Sequence, residues 1–302
     1  MEDVIFEDQT LRDGLQNDKA ILSTDEKAEI FQRLAAAGVR RIQVGSFVDP
    51  RRVPQMADTA DLLARLGTPA GVEVSALILN RRGFEQALRT GVTHLSLSAS
   101  LSDAHSRRNV GKPSATALAE MADLTAEAIA AGRQVRAGVQ CAFGCVYQGT
   151  VPAADVLKRL EMLAAAGARE LNLADTTGMG HPRQVAELVT RVHREFPHCA
   201  IALHLHDTRG LGIANAYAGF QAGARIFDAT LGALGGCPFI PGAAGNIAIE
   251  DAVYLMAAEG IATGIDLDRL CQASRQLAER LGRPMGSRIC RVCGTADPAL
   301  PA

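Results

Sequence analysis

Apolar residues in this chain fall in short runs, and longer stretches with helical spacing lie between them. Val4-Ile5-Phe6 reads as a first strand. Arg41–Gly45, Gly71–Leu79, His94–Ala99, Val135–Ala142, Leu171–Ala174, Ala200–His206 and Arg225–Leu231 read as seven more. In the third, Val72, Val74 and Ala76 alternate against Glu73 and Ser75, the period of a strand whose faces differ. Ala115–Ala131, Ala153–Ala166, Gln184–Glu195 and Leu211–Ala222 are expected as helices. Ser23-Thr24-Asp25-Glu26 offers the caps of another, which ends near Ala37-Gly38. Ala-Gly recurs at 131–132, 166–167 and 222–223, always just ahead of a strand, as a helix stop with Gly past the last turn requires. The spacing varies and no consensus recurs, which excludes a solenoid.

Eight such units in one chain predict a (β/α)₈ barrel over residues 1–293, with helices at its C-terminal end, in preference to an open sheet. No Gly-x-Gly-x-x-Gly opens the first helix, so a dinucleotide fold is not expected. No linker divides the chain, and the Pro- and Ala-rich tail 294–302 is expected to be disordered. Barrels of this class often run to the 302 residues found here as one domain. The net charge of −2, with acids and bases interspersed, gives no footprint for nucleic acid. No apolar stretch reaches membrane-spanning length and no signal core opens the chain, so a cytoplasmic enzyme with no membrane partner is expected. Seven irregularly spaced cysteines do not make a disulfide framework. Cys290 and Cys293 have the spacing of a redox or zinc pair, but with no second pair they read as two thiols near a loose tail.

Barrel chemistry sits at the carboxyl ends of the strands, and polar residues gather there. Arg12 and Asp13 follow strand one across a Gly turn. Gln43 and Ser46 lie at strand two, Asn172 and Asp175 at strand six, His204 and His206 at strand seven. Alternation puts both histidines on one face, with Leu203 and Leu205 on the other. Two imidazoles and a carboxylate from elsewhere suggest a divalent-metal site. The Gly-rich stretch 231–246 lacks the Gly-Lys-Ser/Thr of a phosphate loop and reads as a lid carrying Cys237. Asn246 closes it with an amide oxygen that could serve as a ligand, and Ile247–Glu259 continues as a helix.

These motifs together resemble the 3-hydroxy-3-methylglutaryl-CoA lyases, within the wider group of barrel metallolyases and isopropylmalate synthase-like Claisen enzymes. The resemblance runs nearly end to end. It rests on Arg12-Asp13-Gly14-Leu15-Gln16-Asn17, Ser46-Phe47-Val48 with Val53 to Asp58, and Cys141-Ala142-Phe143-Gly144-Cys145. Asp175-Thr176-Thr177-Gly178, the His204/His206 strand and Leu234-Gly235-Gly236-Cys237-Pro238 with Gly245-Asn246 complete it. It implies Mg²⁺ or Mn²⁺ on Asp13, His204, His206 and Asn246, with Arg12 stabilising the enolate oxygen and Cys237 transferring a proton. It further implies Asp175 and Glu250 as active-site carboxylates and Gln16, Gln43, Ser46, Asn172 and Arg209 about an acyl-CoA substrate. A homodimer or higher homo-oligomer and a role in leucine degradation come with it. Gln43 departs from the family's Glu, Asn172 from Ser and Arg209 from Tyr, and Asp8 to Asp13 looks like the synthase branch. The reaction class stands, and the acyl group is opened: 3-hydroxy-3-methylglutaryl-CoA first, citramalyl-CoA next. A condensing synthase would usually carry a regulatory domain for which this chain has no room, and a non-catalytic barrel is the remaining class.

Overall fold

Every one of the eight expected strands is present in the computed structural model, which describes residues 4–236, 240 and 243–292. They are β1 (Ile5–Asp8), β2 (Arg41–Ser46), β3 (Glu73–Ile78), β4 (His94–Ser100), β5 (Gln134–Gln140), β6 (Glu170–Asp175), β7 (Ala200–Leu205) and β8 (Ile226–Ala229). All neighbours pair parallel in chain order, and Ile5↔Ile226 through Asp8↔Ala229 joins β1 to β8 and closes the barrel. The helices are α1 (Thr24–Ala36), α2 (Thr59–Leu66), α3 (Arg81–Leu88), α4 (Asp103–Val110), α5 (Ser114–Ala130), α6 (Ala153–Ala165), α7 (Pro182–Glu195), α8 (Gly212–Gln221), α9 (Ile249–Ala258) and α10 (Leu267–Leu281). None is long and apolar enough to cross a membrane, among the described residues.

Alternation along the strands makes two different surfaces. Ile42, Val44, Leu95, Leu97, Leu171, Leu173, Leu203, Leu205 and Phe227 belong to the apolar core and are at most 1% exposed. Each contributes roughly 1.5–3 kcal/mol by leaving water. Their sequence neighbours of the other phase, such as Gln43, Ser96, Arg136, Asn172, His204 and Asp228, are polar and buried too. The inside of this barrel is therefore polar, where most such barrels are filled by branched apolar residues.

The expected Ala-Gly stops are real. Ala37, Ala131, Ala166 and Ala222 cap their helices, and the following glycines turn left-handed at φ 95°, 73°, 103° and 111°. Other boundaries differ. β1 runs on through Glu7 and Asp8, which an apolar run could not reveal because both acids are fully buried. The expected Gly turn is instead a π-helical turn over Thr10–Gly14. β8 stops at Ala229 because Leu231–Ala233 winds into a 3₁₀ turn. α2, α3 and α4 have eight residues each and were not singled out; runs that short hold only about two turns of periodic signal. The tail from Cys293 onward and Cys237 on the expected lid lie outside the described residues.

Candidate active site

A cavity of about 400 Å³ opens at the carboxyl ends of the strands, lined among others by Arg12, Asp13, Ser46, Asn172, His204 and His206. The π-helical turn explains how two consecutive residues both face it. Asp8 starts the turn by accepting from the Thr10 N–H and hydroxyl, each at 2.9 Å. Thr10 Oγ1 in turn accepts the Leu231 N–H at 2.8 Å, which fixes the turn to the segment after β8. Burial pushes the Asp8 carboxyl up to about 7, against the pull of its Thr10 hydrogen bonds.

Asp13, His204 and His206 converge, each offering one ligand atom within 4.8 Å of the others. The two histidine Nε2 atoms are 3.1 Å apart, and Asp13 Oδ2 lies 3.5 Å from that of His206 and 3.9 Å from that of His204. His204 Nδ1 meets Asp228 Oδ2 at 3.0 Å. A carboxylate there holds the proton on Nδ1 and leaves the Nε2 lone pair facing the other histidine. Burial drives the His204 pKa down, with Asp228 and Asp13 opposing it. Burial would raise Asp13, but Arg12 and the two histidines outweigh it and hold the carboxyl far below the usual range. An anion and two imidazole nitrogens so disposed suit a divalent cation. Asn246 joins from the loop before α9, its Nδ2 donating to Asp13 Oδ2 at 2.8 Å. Its Oδ1 is buried without a partner, so turning the amide over would present an oxygen to the same point. Two imidazole nitrogens and two oxygens, with no thiolate, make a mixed donor set for a divalent cation.

Arg12 is clamped from beneath. Its Nε donates to Gln43 Oε1 at 2.6 Å and to Gln9 Oε1 at 3.1 Å, and Nη2 donates to Gln9 Oε1 at 2.7 Å. Its ionic partner is Asp13. Gln43 explains itself here. Its amide donates to Glu7 Oε1 at 3.2 Å, and Glu7 also accepts from the Ser75 hydroxyl at 2.6 Å. A glutamate at position 43 would set two carboxylates against each other in a site with no exposure.

Gln16 donates to Asp13 Oδ1 at 2.7 Å, from the edge of the cavity. Ser46 Oγ and Asn172 Oδ1 line the cavity as buried atoms with no partner in the protein, so a ligand oxygen or nitrogen is what they lack. Asn172 fits only because β5 offers Gly138 opposite, where an added Cβ would lie 2.6 Å from the Asn172 Cβ.

Besides Gln43, which lies beneath Arg12 and not on the cavity wall where a substrate residue was expected, three expected residues are placed otherwise. Asp175 accepts the Met179 and Gly180 N–H groups at 2.9 Å each and serves the loop after β6. Arg209 donates to the carbonyls of Thr177 at 2.8 Å and Gly178 at 2.7 Å, holding the same loop from outside. Glu250 is fully buried behind the 3₁₀ turn and accepts the Gly232 N–H at 2.9 Å. None of the three lines the cavity. Burial raises the carboxyls of both Asp175 and Glu250. Gln9, Asp228 and Gly138 were missed. A charged residue in strand phase within an apolar run, as in Ile226-Phe227-Asp228-Ala229, was the signal available for Asp228.

The HMGL-like family model matches residues 3–277. An (R)-citramalyl-CoA lyase from Chloroflexus aurantiacus is 41% identical over 312 residues, covering 100% of this chain and 97% of its own. A hydroxymethylglutaryl-CoA lyase from Pseudomonas mevalonii is 39% identical over 277 residues, 92% of each chain. Among solved structures, an HMG-CoA lyase from A. baumannii in complex with coenzyme A and 3-methylmalate superposes with a TM-score of 0.92. It is 34% identical, over 99% of this chain and 98% of that one.

Proposed function

We propose, from the premise that this chain belongs to the HMGL-like family, that it cleaves 3-hydroxy-3-methylglutaryl-CoA to acetoacetate and acetyl-CoA. It is an acyl-CoA carbon–carbon lyase. The observation behind the mechanism is the Asp13, His204 and His206 cluster beside a clamped Arg12 at the floor of one cavity. Mg²⁺ or Mn²⁺ bound by Asp13, His204, His206 and Asn246 would lower the pKa of a hydroxyl held there. Arg12 supplies a fixed cation for the charge that develops on the thioester oxygen as the bond breaks. Because Gln9 and Gln43 hold it through neutral oxygens, its charge is offset by Asp13 alone among its bonded partners. Ser46 and Asn172 hydrogen-bond the substrate through their free atoms, and Gln16 orients Asp13. Cys237 delivers the proton to the acetyl carbon. Arg52 and Arg108 bring positive charge to the cavity wall, which suits the phosphates of coenzyme A. The reading extends to a cytoplasmic enzyme of leucine degradation that works as a homodimer or higher homo-oligomer, with residues 1–293 as one catalytic unit.

Citramalyl-CoA, giving pyruvate and acetyl-CoA, is the second reading. It is favoured by the 41% identity across the whole chain and by Asn172, whose bulk fills the space of the methylene that the shorter acid lacks. One methylene is worth about 1–3 kcal/mol, so discrimination should be partial. Acetyl-CoA release from both thioesters, as kcat/KM, decides between them. The first reading predicts the methylglutaryl substrate ahead. A preference for citramalyl-CoA that Asn172→Ser reverses establishes the second. Chelation should abolish turnover and Mg²⁺ or Mn²⁺ restore it; a His204→Ala protein with normal turnover would remove the metal assignment.

A further inference from the structure

Beneath the cavity the two halves of the site are joined by a continuous run of polar contacts. From Arg12 it passes to Gln43 at 2.6 Å, to Glu7 at 3.2 Å, and from Glu7 Oε2 to Arg136 Nη1 at 2.8 Å. Arg136 Nη1 is ion-paired with Asp228 Oδ1 at 2.7 Å, and Asp228 Oδ2 holds His204 Nδ1 at 3.0 Å. Arg136 stands on β5, across the barrel from β1, and is 1% exposed. It is the residue that reaches both ends: Asp228 toward the histidine ligand, Glu7 toward the guanidinium clamp. A third carboxylate, Glu170, lies 3.1 Å from its Nε.

We propose that Arg136 is a positioning residue for the reaction. It acts through Asp228 on the ring of His204, and through Glu7 and Gln43 on Arg12. Asp228 can orient an imidazole only while its own carboxylate is held, and Arg136 is the cation that holds it. A histidine ligand whose outer partner is lost typically binds metal about 10–100-fold more weakly. The guanidinium also carries the same constraint to the opposite side of the site, where it shares Glu7 with Arg41 at 2.7 Å, so metal affinity and turnover both depend on Arg136. The turnover arm rests on the lyase reading above; the metal arm does not.

The test is a double-mutant cycle on the full chain, with Mn²⁺ affinity measured by calorimetry on metal-stripped protein. Asp228→Asn, which keeps the shape, should weaken Mn²⁺ about 10–100-fold with its melting temperature close to that of the parent. Arg136→Lys should weaken it as well, and the double variant should bind no worse than Asp228→Asn alone, since neighbours acting through one another are not additive. For the Arg12 arm the readout is kcat. Arg136→Lys and Gln43→Met should each lower it, with KM little changed, and together lower it no further than the larger single loss. Losses that add in either cycle would reduce Arg136 to a structural ion pair. Should Arg136→Lys not fold, Asp228→Asn alone decides, and parental Mn²⁺ affinity in that variant overturns the proposal. A parent protein that cleaves neither thioester, with Mn²⁺ still weakened by Asp228→Asn, would sink the lyase reading and leave the positioning role standing.

Discussion

Glu7 and Asp8 are consecutive, both fully buried, and opposite in acid–base behaviour. Burial pushes both carboxyls up. At Glu7, Arg41 and Arg136 outweigh it and hold the pKa at about 2; at Asp8, nothing cationic answers and the pKa rises to about 7. Stability follows by linkage. The depressed Glu7 contributes above its unfolded value of 4.5, and that contribution is lost as pH falls from there toward 2. The raised Asp8 contributes fully below its unfolded value of 3.8, and its contribution is lost as pH rises toward 7. Asp8→Asn should therefore flatten the stability profile between about pH 4 and 7, read from urea midpoints across that range, and leave the acid limb in place. An unchanged slope in that window would mean Asp8 ionises freely. At this scale the sequence was informative where barrel geometry supplied the rule. Of the strand-end residues, Arg12, Asp13, Ser46, Asn172, His204 and His206 line the cavity, and Gln43 and Asp175 do not. Asp175, picked by the same rule, spends its carboxylate on loop backbone, and so do Arg209 and Glu250, which came from resemblance alone, with their own polar groups.

Among the elements, the π-helical turn after β1 does the most for the site and left the least trace in the sequence. Five residues cannot show a period, and the Gly at its end suggested a simple turn. What selects it is the side-chain oxygen of Thr10, which bonds Asp8 and receives the Leu231 N–H. Thr10→Val keeps the shape and leaves that buried N–H without an acceptor, a cost of about 1–3 kcal/mol. Chemical denaturation should show a loss of that size, with weaker Mn²⁺ binding because Asp13 rides on the turn. Parental stability would show that another acceptor takes over. The four Ala-Gly helix stops, by contrast, were legible, because a left-handed residue past the last turn is nearly a glycine monopoly.

For the molecule as a whole, the fold was legible because the strand faces turned toward the helices are continuously apolar. The contents of the barrel were not. In the sequence nothing pairs Glu7, Arg41, Arg136, Glu170 and Asp228, and only closure reveals that they answer one another. The pairs span the chain: Glu7 with Arg136 and Arg41 with Glu170 are both 129 residues apart. That separation bears on how the protein is made. As the chain leaves the ribosome, Glu7 on the first strand can meet Arg41 on the second, but Arg136 on the fifth strand and Glu170 on the sixth have yet to follow. Sealing half of this charge cluster inside, before Arg136, Glu170 and Asp228 complete it, is costly, so the early strands stay open with their polar edges in water. Hydration of those edges also keeps a half-made sheet from sticking to its neighbours. Synthesis halted before Arg136 should yield a chain that proteases digest throughout, and full protection should arrive only after Asp228 has emerged. Protection of the first strands in the shorter chain would show that they settle early. The charges inside the barrel thus act as a timer, holding assembly back until the last strand can complete the ring.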